Sequence, residues 1–269
     1  MKGKWECKWS YYDFNNSFSC RFLYEFFFKR SIQKNDNLSQ QIAILYSYWF
    51  ENFNFPNQDN KPYAAFNGAF KYDSKIKRNI PVGWEVKNLL DIVIWETNSQ
   101  PPKSEFIYEP KSGYIRFIQN RDFSSDSHMT YIPYKKNLSI ADEYDILVDK
   151  YGDAGTTRFG ISGTYNVALA KICVKNQKYK EYIRAYLSSK PIYEYLHNAC
   201  IASTRASLNE STLSFLKVIV PDEEISMLFE EKVHILIEKI IKNNNENKFL
   251  AKIRDDVAKL LLNGQIKIR

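Results

Sequence analysis

The sequence is poor in the residues that build metal centres and disulfide frameworks. Its 269 residues include four cysteines and three histidines, and no two cysteines form a Cys-x-x-Cys pair. The histidines are scattered, so no cluster with metal-ligand spacing arises. We therefore predict no metal site, and we expect free thiols in a reducing compartment for Cys7, Cys20, Cys173 and Cys200.

Long apolar runs are missing too. No stretch of about 18 apolar residues is present, so the sequence predicts no membrane-spanning helix. The aromatic run over residues 22–28 contains Glu25 and lacks a small-residue cleavage pattern, which argues against a signal peptide. The expectation is a soluble, cytoplasmic protein.

Motifs of enzymes that modify or translocate DNA are absent as well. The chain contains no Asn-Pro-Pro-Tyr or Asp-Pro-Pro-Tyr tetrapeptide, no FxGxG pattern and no GxxxxGK[ST] phosphate loop. Three dispersed histidines indicate no nucleophile with a neighbouring base. The glycine-containing stretch 151–158 has two open interpretations, a phosphate cradle or a hairpin turn. We predict a protein that is not itself a catalyst and that needs no cofactor.

Basic charge is present but unevenly distributed. The net charge of +7 and the isoelectric point near 9.0 permit a polyanionic partner. Residues 1–80 carry 12 basic and 7 acidic groups, residues 81–222 carry 17 and 16, and residues 223–269 carry 9 and 8. If the nearly neutral middle segment binds DNA, its geometry must focus the charge. The hydrophobic share of 44% is enough for a folded core.

The first 80 residues divide into two segments. Residues 1–36 are aromatic and aperiodic, and we leave them unassigned. A short helix is predicted next, because apolar side chains recur at spacings of four, three and four at Leu38, Ile42, Leu45 and Trp49. Asp36 or Asn37 is its expected N-cap. Proline and Asn/Asp residues over 54–60 end the helix, and residues 61–80 are predicted to be a linker.

Residues 81–222 are predicted to form a mixed globular domain. Short runs of β-branched and aromatic residues indicate strands at Tyr114–Ile118, Asp145–Val148, Val167–Val174 and Phe215–Val220. A helix is predicted over Lys178–Leu196, with one face formed by Tyr182, Ala185, Tyr186, Ser189 and Tyr193. Core positions are expected for Trp84, Trp95 and Tyr165. Because strands and helices mix without a regular β-α-β rhythm, the expected fold class is α+β.

The clearest predicted element is a helix over residues 223–262. Every third or fourth residue falls on a seam in which seven of ten positions are apolar. The seam positions are Phe229, Val233, Leu236, Ile240, Asn243, Asn247, Leu250, Arg254, Val257 and Leu261. About 40 residues at roughly 1.5 Å each make a rod near 60 Å long, and we expect its seam to need a partner helix. Asn243 and Asn247 either set the register of that pairing or mark a solvated stretch.

Several stretches, in order over residues 37–266, resemble the specificity subunits of type I restriction-modification enzymes. They are the helix and its continuation at 37–50, 53–56 and 61–63, the entry Ile80-Pro81-Val82-Gly83-Trp84, the interior stretches 113–122, 145–148 and 203–209, and the end of the chain at 220–221 and 260–266. The resemblance implies a short conserved helix and linker over 37–80, one target-recognition domain over 81–222 and a coiled-coil spacer over 223–269. Residues 1–36 depart from the family pattern.

In such a family this subunit reads double-stranded DNA, whereas separate subunits methylate adenine or cleave and translocate. A full-length member carries two recognition domains, each reading half of a split site. The implied partners are methyltransferase subunits, the restriction subunit, and a second copy or another half-subunit that pairs with the spacer. Adenosylmethionine and metal would belong to those partners.

Loops on a rigid scaffold are where DNA recognition is expected. Polar and basic side chains that can reach base edges or phosphates occur in three predicted loops. The candidate DNA contacts are Arg116, Gln119, Asn120 and Arg121, then Lys150, Tyr151, Thr156, Thr157 and Arg158, and finally Thr204, Arg205, Ser207 and Asn209. For each of them the alternative is a solvated charge or a hydrogen bond that stabilises a turn.

Three other functions stay open at this point. A coiled-coil adaptor that binds another protein would account for the nearly neutral middle segment. A self-contained methyltransferase or nuclease is disfavoured by the missing motifs. The chain could also be an inactive or exchangeable specificity fragment, and the sequence does not identify a DNA site.

Overall fold

The computed structural model describes residues 30–203 and 206–263. Its first element, helix α1, covers residues 30–46 and continues into a π-helical turn, Ser47–Glu51. The predicted start at Leu38 with Asp36 or Asn37 as N-cap is wrong, because both residues lie inside the helix. The predicted stop is confirmed, since irregular structure follows from Asn52 onward.

Twelve strands and five further α-helices follow α1 in the described part of the chain, besides short 3₁₀ turns. The strands are β1 (Phe70–Asp73), β2 (Arg78–Pro81), β3 (Glu85–Asn88), β4 (Val93–Thr97), β5 (Tyr114–Ile118), β6 (Tyr131–Pro133), β7 (Ile140–Ala141), β8 (Ile146–Asp149), β9 (Thr157–Arg158), β10 (Gly163–Tyr165), β11 (Leu169–Val174) and β12 (Lys217–Val220). The helices are α2 (Leu89–Ile92), α3 (Lys180–Ser188), α4 (Lys190–Ala202), α5 (Glu210–Leu213) and α6 (Glu223–Leu262).

Two four-stranded sheets form the centre of the molecule. One has the order β4-β11-β8-β9 and the other the order β6-β5-β10-β7. Only β5 and β10 pair in parallel, whereas the other neighbours pair antiparallel. Two-stranded ribbons, β1-β2 and β3-β12, complete the described strands. Short antiparallel strands with helices around them confirm the α+β class.

The four predicted strands are all present, with small shifts at their ends. β5 has the predicted bounds, and β8 begins one residue later than predicted. β11 and β12 each begin two residues later. The predicted linker over residues 61–80 is wrong in its second half, which forms the β1-β2 hairpin with Phe70 opposite Pro81.

The single helix predicted over Lys178–Leu196 is in fact two helices. The break lies at Ser189, whose backbone is extended (φ −66°, ψ 142°). Pro191 follows in the first turn of α4. A continuous helix would bring the proline ring against the carbonyl four residues earlier, so the chain restarts instead. Of the predicted shared face, Tyr182, Ala185 and Tyr186 are buried on α3, whereas Ser189 lies at the break and Tyr193 on α4.

The main core lies where α1, α3 and α6 meet. Phe50 is its centre, with ring centroids 4.9 Å from Phe229 and 4.6 Å from Tyr182. Trp84 is 1% exposed and stacks on the ring of Phe55 at 4.7 Å. A smaller cluster, which includes the fully buried Tyr165, fills the space between the two four-stranded sheets. Trp84 and Tyr165 are therefore core residues as predicted, and Trp95 is only partly buried.

The 40-residue helix α6 confirms the longest predicted element. Its first half packs against α1 of the same chain. Asn35 donates to Asn244 Oδ1 at 2.7 Å and accepts from Asn243 Nδ2 at 2.7 Å, whereas Trp49 lies 5.9 Å from the Phe229 ring. The pairing is antiparallel, because position rises along α1 as it falls along α6.

For the first half of the seam, the partner helix that the sequence led us to expect is α1 of the same chain. Of the seam positions, Phe229, Val233 and Ile240 are buried inside the chain, Asn247 is 8% exposed, and Leu236 and Asn243 are half-buried. Ile237 is also buried, since a straight helix repeats every 3.6 residues and not every 3.5. Leu250 and Val257 are exposed, and the side chain of Leu261 lies outside the described part.

None of the helices in the described ranges combines the length and the apolar character that crossing a bilayer requires.

Candidate nucleic-acid interface

The three predicted recognition loops lie side by side. The first begins where β5 ends, as a 3₁₀ turn over Asn120–Phe123. The second is the β8-β9 turn, and the two loops meet where the Arg158 guanidinium lies 5.6 Å from the Phe123 ring. The third follows α4, and its Leu208 amide donates to the carbonyl of Lys150 at 3.0 Å. The fold thus gathers loops that are far apart in sequence.

The β8-β9 turn is a hairpin, which is the second of the two interpretations of the glycine-containing stretch 151–158. Leu147 pairs with Arg158 and Val148 with Thr157. Gly155 has a φ of +93°, and a Cβ there would lie 2.9 Å from the Cβ of Leu196. Glycine at this position is thus required both by the backbone conformation and by the close approach of α4.

Asp149 organises this hairpin from inside. It is 1% exposed, and its Oδ2 accepts from Arg158 Nε at 3.1 Å and from Arg158 Nη2 at 2.9 Å. Burial raises the pKa of Asp149, while Arg158 and the neighbouring Asn120 act in the opposite direction. A buried carboxylate needs such a partner, so Arg158 serves the fold of the hairpin.

Of the two threonines of the hairpin, Thr156 is engaged in hydrogen bonds within the protein. The Thr156 amide donates to the carbonyl of Asp153 at 3.1 Å. Hydrogen bonds from Thr156 and Tyr193 lower the pKa of Asp153. The hydroxyl of Thr157 is buried without a hydrogen-bond partner.

Two predicted contacts in the first loop are engaged within the protein as well. Arg116 Nη2 lies 2.6 Å from Asp126 Oδ1, and its side chain is 18% exposed. Gln119 Nε2 donates to the hydroxyl of Thr130 at 3.0 Å. Arg121 differs, because its side chain is 53% exposed and its contacts are long, at 3.3 Å to the His128 carbonyl and 3.5 Å to Thr130.

Tyr151 is exposed in the second loop, and the half-buried Lys150 lies beside it. Tyr151 is 42% exposed, and the Lys150 ammonium lies 5.8 Å from the centre of its ring. A lysine beside an exposed aromatic ring can place charge on a phosphate and a flat surface against a sugar or base.

The third loop is polar, and part of it caps a helix. Asn209 Oδ1 accepts from the Thr212 amide at 3.2 Å, so this side chain is the N-cap of α5. The Ser207 amide donates to the Ser203 hydroxyl at 3.1 Å. The predicted contacts Thr204 and Arg205 lie outside the described residues.

A basic, aromatic edge next to the first loop was missed by the sequence reasoning. The segment at Ile107 pairs with Tyr131 along the outer side of β6. Tyr108 is 69% exposed and Tyr134 is 54% exposed. Exposed lysines at 103, 111, 135 and 136 accompany them, with Lys135 bound to Glu105 at 2.9 Å. The Tyr-Lys-Lys run at 134–136 was the signal available in the sequence.

One group of potential metal donors lies elsewhere, between α3 and α6. It consists of Glu181, Glu230 and His234. Arg184 binds both Glu181 oxygens, at 2.6 and 3.1 Å, and Glu230 Oε2 accepts from the Glu181 amide at 2.7 Å. Burial raises the pKa of Glu230 to about 7, and the like charge of Glu181 adds to it. These donors are thus already used by the protein, and Arg184 would repel a cation.

Comparison with known proteins identifies what this chain is similar to. The family model described as "Type I restriction modification DNA specificity domain" matches residues 81–254. The MjaIX specificity subunit of a type I restriction enzyme from Methanocaldococcus jannaschii is 26% identical over 252 residues, which are 88% of this chain and 55% of that protein. The HindI specificity subunit from Haemophilus influenzae is 28% identical over 201 residues, 70% of this chain and 42% of that protein.

A solved structure shares the fold. The type I restriction-modification S subunit from M. genitalium superposes with a TM-score of 0.57 at 15% identity, covering 90% of this chain and 57% of that one. The chain spans about half the length of the relatives it matches. Because the family model covers well over half of the residues, the chain belongs to the family of type I restriction-modification DNA specificity proteins.

Proposed function

We propose that this chain is a non-catalytic DNA-recognition subunit that directs the methyltransferase and restriction subunits of a type I enzyme to a DNA site. The observation that carries the proposal is the convergence of three polar loops on a domain seated on a 40-residue helix. Family membership supports it. The proposed place of action is the cytoplasm, with adenosylmethionine and metal held by the partner subunits.

The proposed division of the chain follows the sequence prediction, with one change. Residues 81–222 form the recognition domain and residues 223–269 the spacer. The preceding short helix and linker extend back to residue 30, where the described part of α1 begins.

We assign direct DNA contact first to Arg121 and Tyr151, which are exposed members of the gathered loops, and to Lys150, whose ammonium lies beside the Tyr151 ring. Thr204 and Arg205 stay in the proposed set. The candidates with strong internal bonds, Arg116, Gln119, Arg158 and Asn209 foremost, are proposed to shape the loops that present the others.

The test begins with duplexes selected from a random library by the purified chain, followed by fluorescence anisotropy. Arg121→Ala or Lys150→Ala should cost about 1–3 kcal/mol if the residue reads a base, and should relax one position of the site. A phosphate contact should weaken all duplexes alike and reduce the salt slope by about 0.9. Lys71→Ala is the matched control, since Lys71 is exposed on β1, in the separate hairpin. Unchanged affinity in both loop variants contradicts the assignment.

The second half of α6 is the proposed pairing surface for another helix. Phe249, Leu250, Ile253, Val257 and Leu260 are between 39% and 65% exposed. Leu250, Ile253, Val257 and Leu260 follow one another at spacings of three, four and three, and Phe249 lies four residues before Ile253. This pattern suits an antiparallel helix from a second copy or from another half-subunit. Methyltransferase subunits are proposed to dock on the resulting bundle.

Charge placed on this face should prevent assembly. Leu250→Glu with Val257→Glu should leave the recognition domain folded, yet reduce the mass measured by light scattering and abolish co-purification with the methyltransferase subunit. If two copies pair around a two-fold axis, methylated sites in cells should be interrupted palindromes. An asymmetric bipartite site points to another half-subunit. Stoichiometric co-purification of the double variant contradicts the pairing surface.

The same exposed face also favours a second candidate function, a coiled-coil adaptor whose domain binds protein. The two functions differ in their response to DNA. Salt-dependent duplex binding by the wild-type chain excludes the adaptor, whereas helix pairing without duplex binding supports it. Retained pairing with no duplex binding, no methylated site in cells and no protein bound to the domain would indicate an inactive or exchangeable fragment.

A further inference from the structure

Asp126 connects the first recognition loop to the spacer helix. Its Oδ1 lies 2.6 Å from Arg116 Nη2 on β5 and 3.2 Å from Lys248 Nζ on α6. The three side chains are 18%, 22% and 27% exposed for Arg116, Lys248 and Asp126 respectively. Two cations thus share one carboxylate in a partly shielded position, where ion pairs are screened less than at an open surface.

The other end of the same loop is held through Asp122. Arg116 Nη2 lies 3.9 Å from Asp122 Oδ2, which also accepts from the Gln119 amide at 3.1 Å. Asp122 is 1% exposed, and burial raises its pKa while Arg116 and Arg121 oppose the rise. Arg116 therefore faces two aspartates of residues 119–126, Asp122 within the segment and Asp126 at its end, and the Asp126 end is tied further to α6.

The recognition domain also contacts α6 at positions that precede Lys248 in the helix. The rings of Tyr144 and His234 are 5.2 Å apart, and a Cβ on Gly160 would lie 3.6 Å from Ile241. From His234 to Lys248 is fourteen residues, or roughly 21 Å of helix. Of these contacts between the domain and α6, the ion pair of Lys248 lies furthest toward the C-terminal end of the helix, and its partner Asp126 belongs to the loop that carries Arg121.

We propose that Asp126 and Lys248 are positioning residues that hold the Arg121 loop at a set orientation to the spacer helix. Because the helix carries the proposed pairing surface, this bridge sets how the loop faces DNA in the assembled protein. The inference rests on the proposed DNA-reading function. The positioning role of Lys248 differs from a direct role, in which the Lys248 ammonium itself would contact a DNA phosphate.

Hydrogen exchange of the full-length wild-type chain, Lys248→Met and Asp126→Asn tests the bridge without DNA. Both variants should lower the protection of amides 119–128, and the double variant should add little to Asp126→Asn, which already removes the carboxylate that Lys248 binds. Lys248→Arg should keep the protection. Lys252→Met is the matched control, an exposed lysine one turn further along α6. Wild-type protection in Lys248→Met overturns the bridge.

Duplex binding then separates positioning from direct contact. Lys248→Met should weaken binding to the selected site by about 3- to 30-fold, with the salt slope unchanged, and should discriminate less between sites. A salt slope reduced by about 0.9 and equal weakening on every duplex overturn the positioning role in favour of a phosphate contact. Unaltered affinity in a variant with lowered protection overturns it too. If the wild type binds no duplex, the proposed function fails, while the exchange data still decide the bridge.

Discussion

Truncation of Phe229 tests whether the first half of α6 is a core helix of its own chain. The ring is fully buried and lies edge-on to Phe50 at 4.9 Å, with an interplanar angle of 78°. Phe→Ala in a packed core costs about 3–5 kcal/mol, which includes the transfer of the ring and the cavity left behind. At about 2–4 °C per kcal/mol for a chain of this size, the melting temperature should fall by roughly 6–20 °C.

Phe249 supplies a matched control on the same helix. Its side chain is 65% exposed, so Phe249→Ala should change the unfolding free energy by no more than about 0.5 kcal/mol. Urea denaturation of dilute protein measures both variants, and Phe229→Leu gives a milder loss should the alanine variant fail to fold. Equal losses at positions 229 and 249, or a loss below about 1 kcal/mol at 229, would refute the in-chain pairing of α1 and α6.

Three further predictions concern charged and polar contacts. Asn35→Ala should lower the unfolding free energy by about 1 kcal/mol in urea denaturation, since two side-chain hydrogen bonds to α6 are lost. Arg158→Ala should cost about 3 kcal/mol in the same assay, because it leaves the buried Asp149 carboxylate without its cation. Glu230 has a folded pKa of about 7, above its ordinary 4.5, so its contribution to stability is full below pH 4.5 and is lost as the pH rises through 7. Glu230→Gln should therefore match the wild type at pH 5 and exceed it at pH 8 in thermal melts, and a constant difference would contradict the burial of this carboxyl.

The elements that the sequence predicted well are those with a local signal. Alternation of spacings by three and four along residues 223–262 is enough to predict α6, and the β-branched and aromatic run at 114–118 is enough to predict β5. The part of α1 that lies before Leu38 had no such signal. Residues 30–37 are polar except for Ile32, and their helix packs against α6 through Asn35, whose partners are more than 200 residues away.

The break between α3 and α4 did have a local signal, which is Pro191. The apolar periodicity across residues 178–196 outweighed it in the prediction, although a proline inside a helical pattern favours a break shortly before it. The β1-β2 hairpin was missed for another reason. Its strands are mostly exposed and lack the alternation of a half-buried strand, so a polar linker was the natural interpretation.

The candidate site was predictable as a set of loops but not as a set of free side chains. Arg116 and Arg158 satisfy every sequence criterion for DNA contact, yet each is bound to an aspartate nine or ten residues away. Those aspartates are not helix neighbours, and only the return of the chain along β6 and β9 brings the loops together. Pairing of this kind depends on tertiary structure, which composition and spacing do not specify.

The nearly neutral charge of residues 81–222 has a structural explanation that bears on the proposed function. With 17 basic and 16 acidic groups, the domain has little net charge to attract DNA. Several carboxylates, however, are buried or half-buried beside a cation, as Asp149 is beside Arg158 and Asp126 beside Arg116 and Lys248. The opposite charges of such a pair cancel each other, so the pair adds little to the electrostatic potential around the domain. In the proposed function, the cations at Arg121 and Lys150 are thereby left to act on a phosphate backbone at short range, so the proposed recognition depends on where the charges of the domain lie and not on their sum.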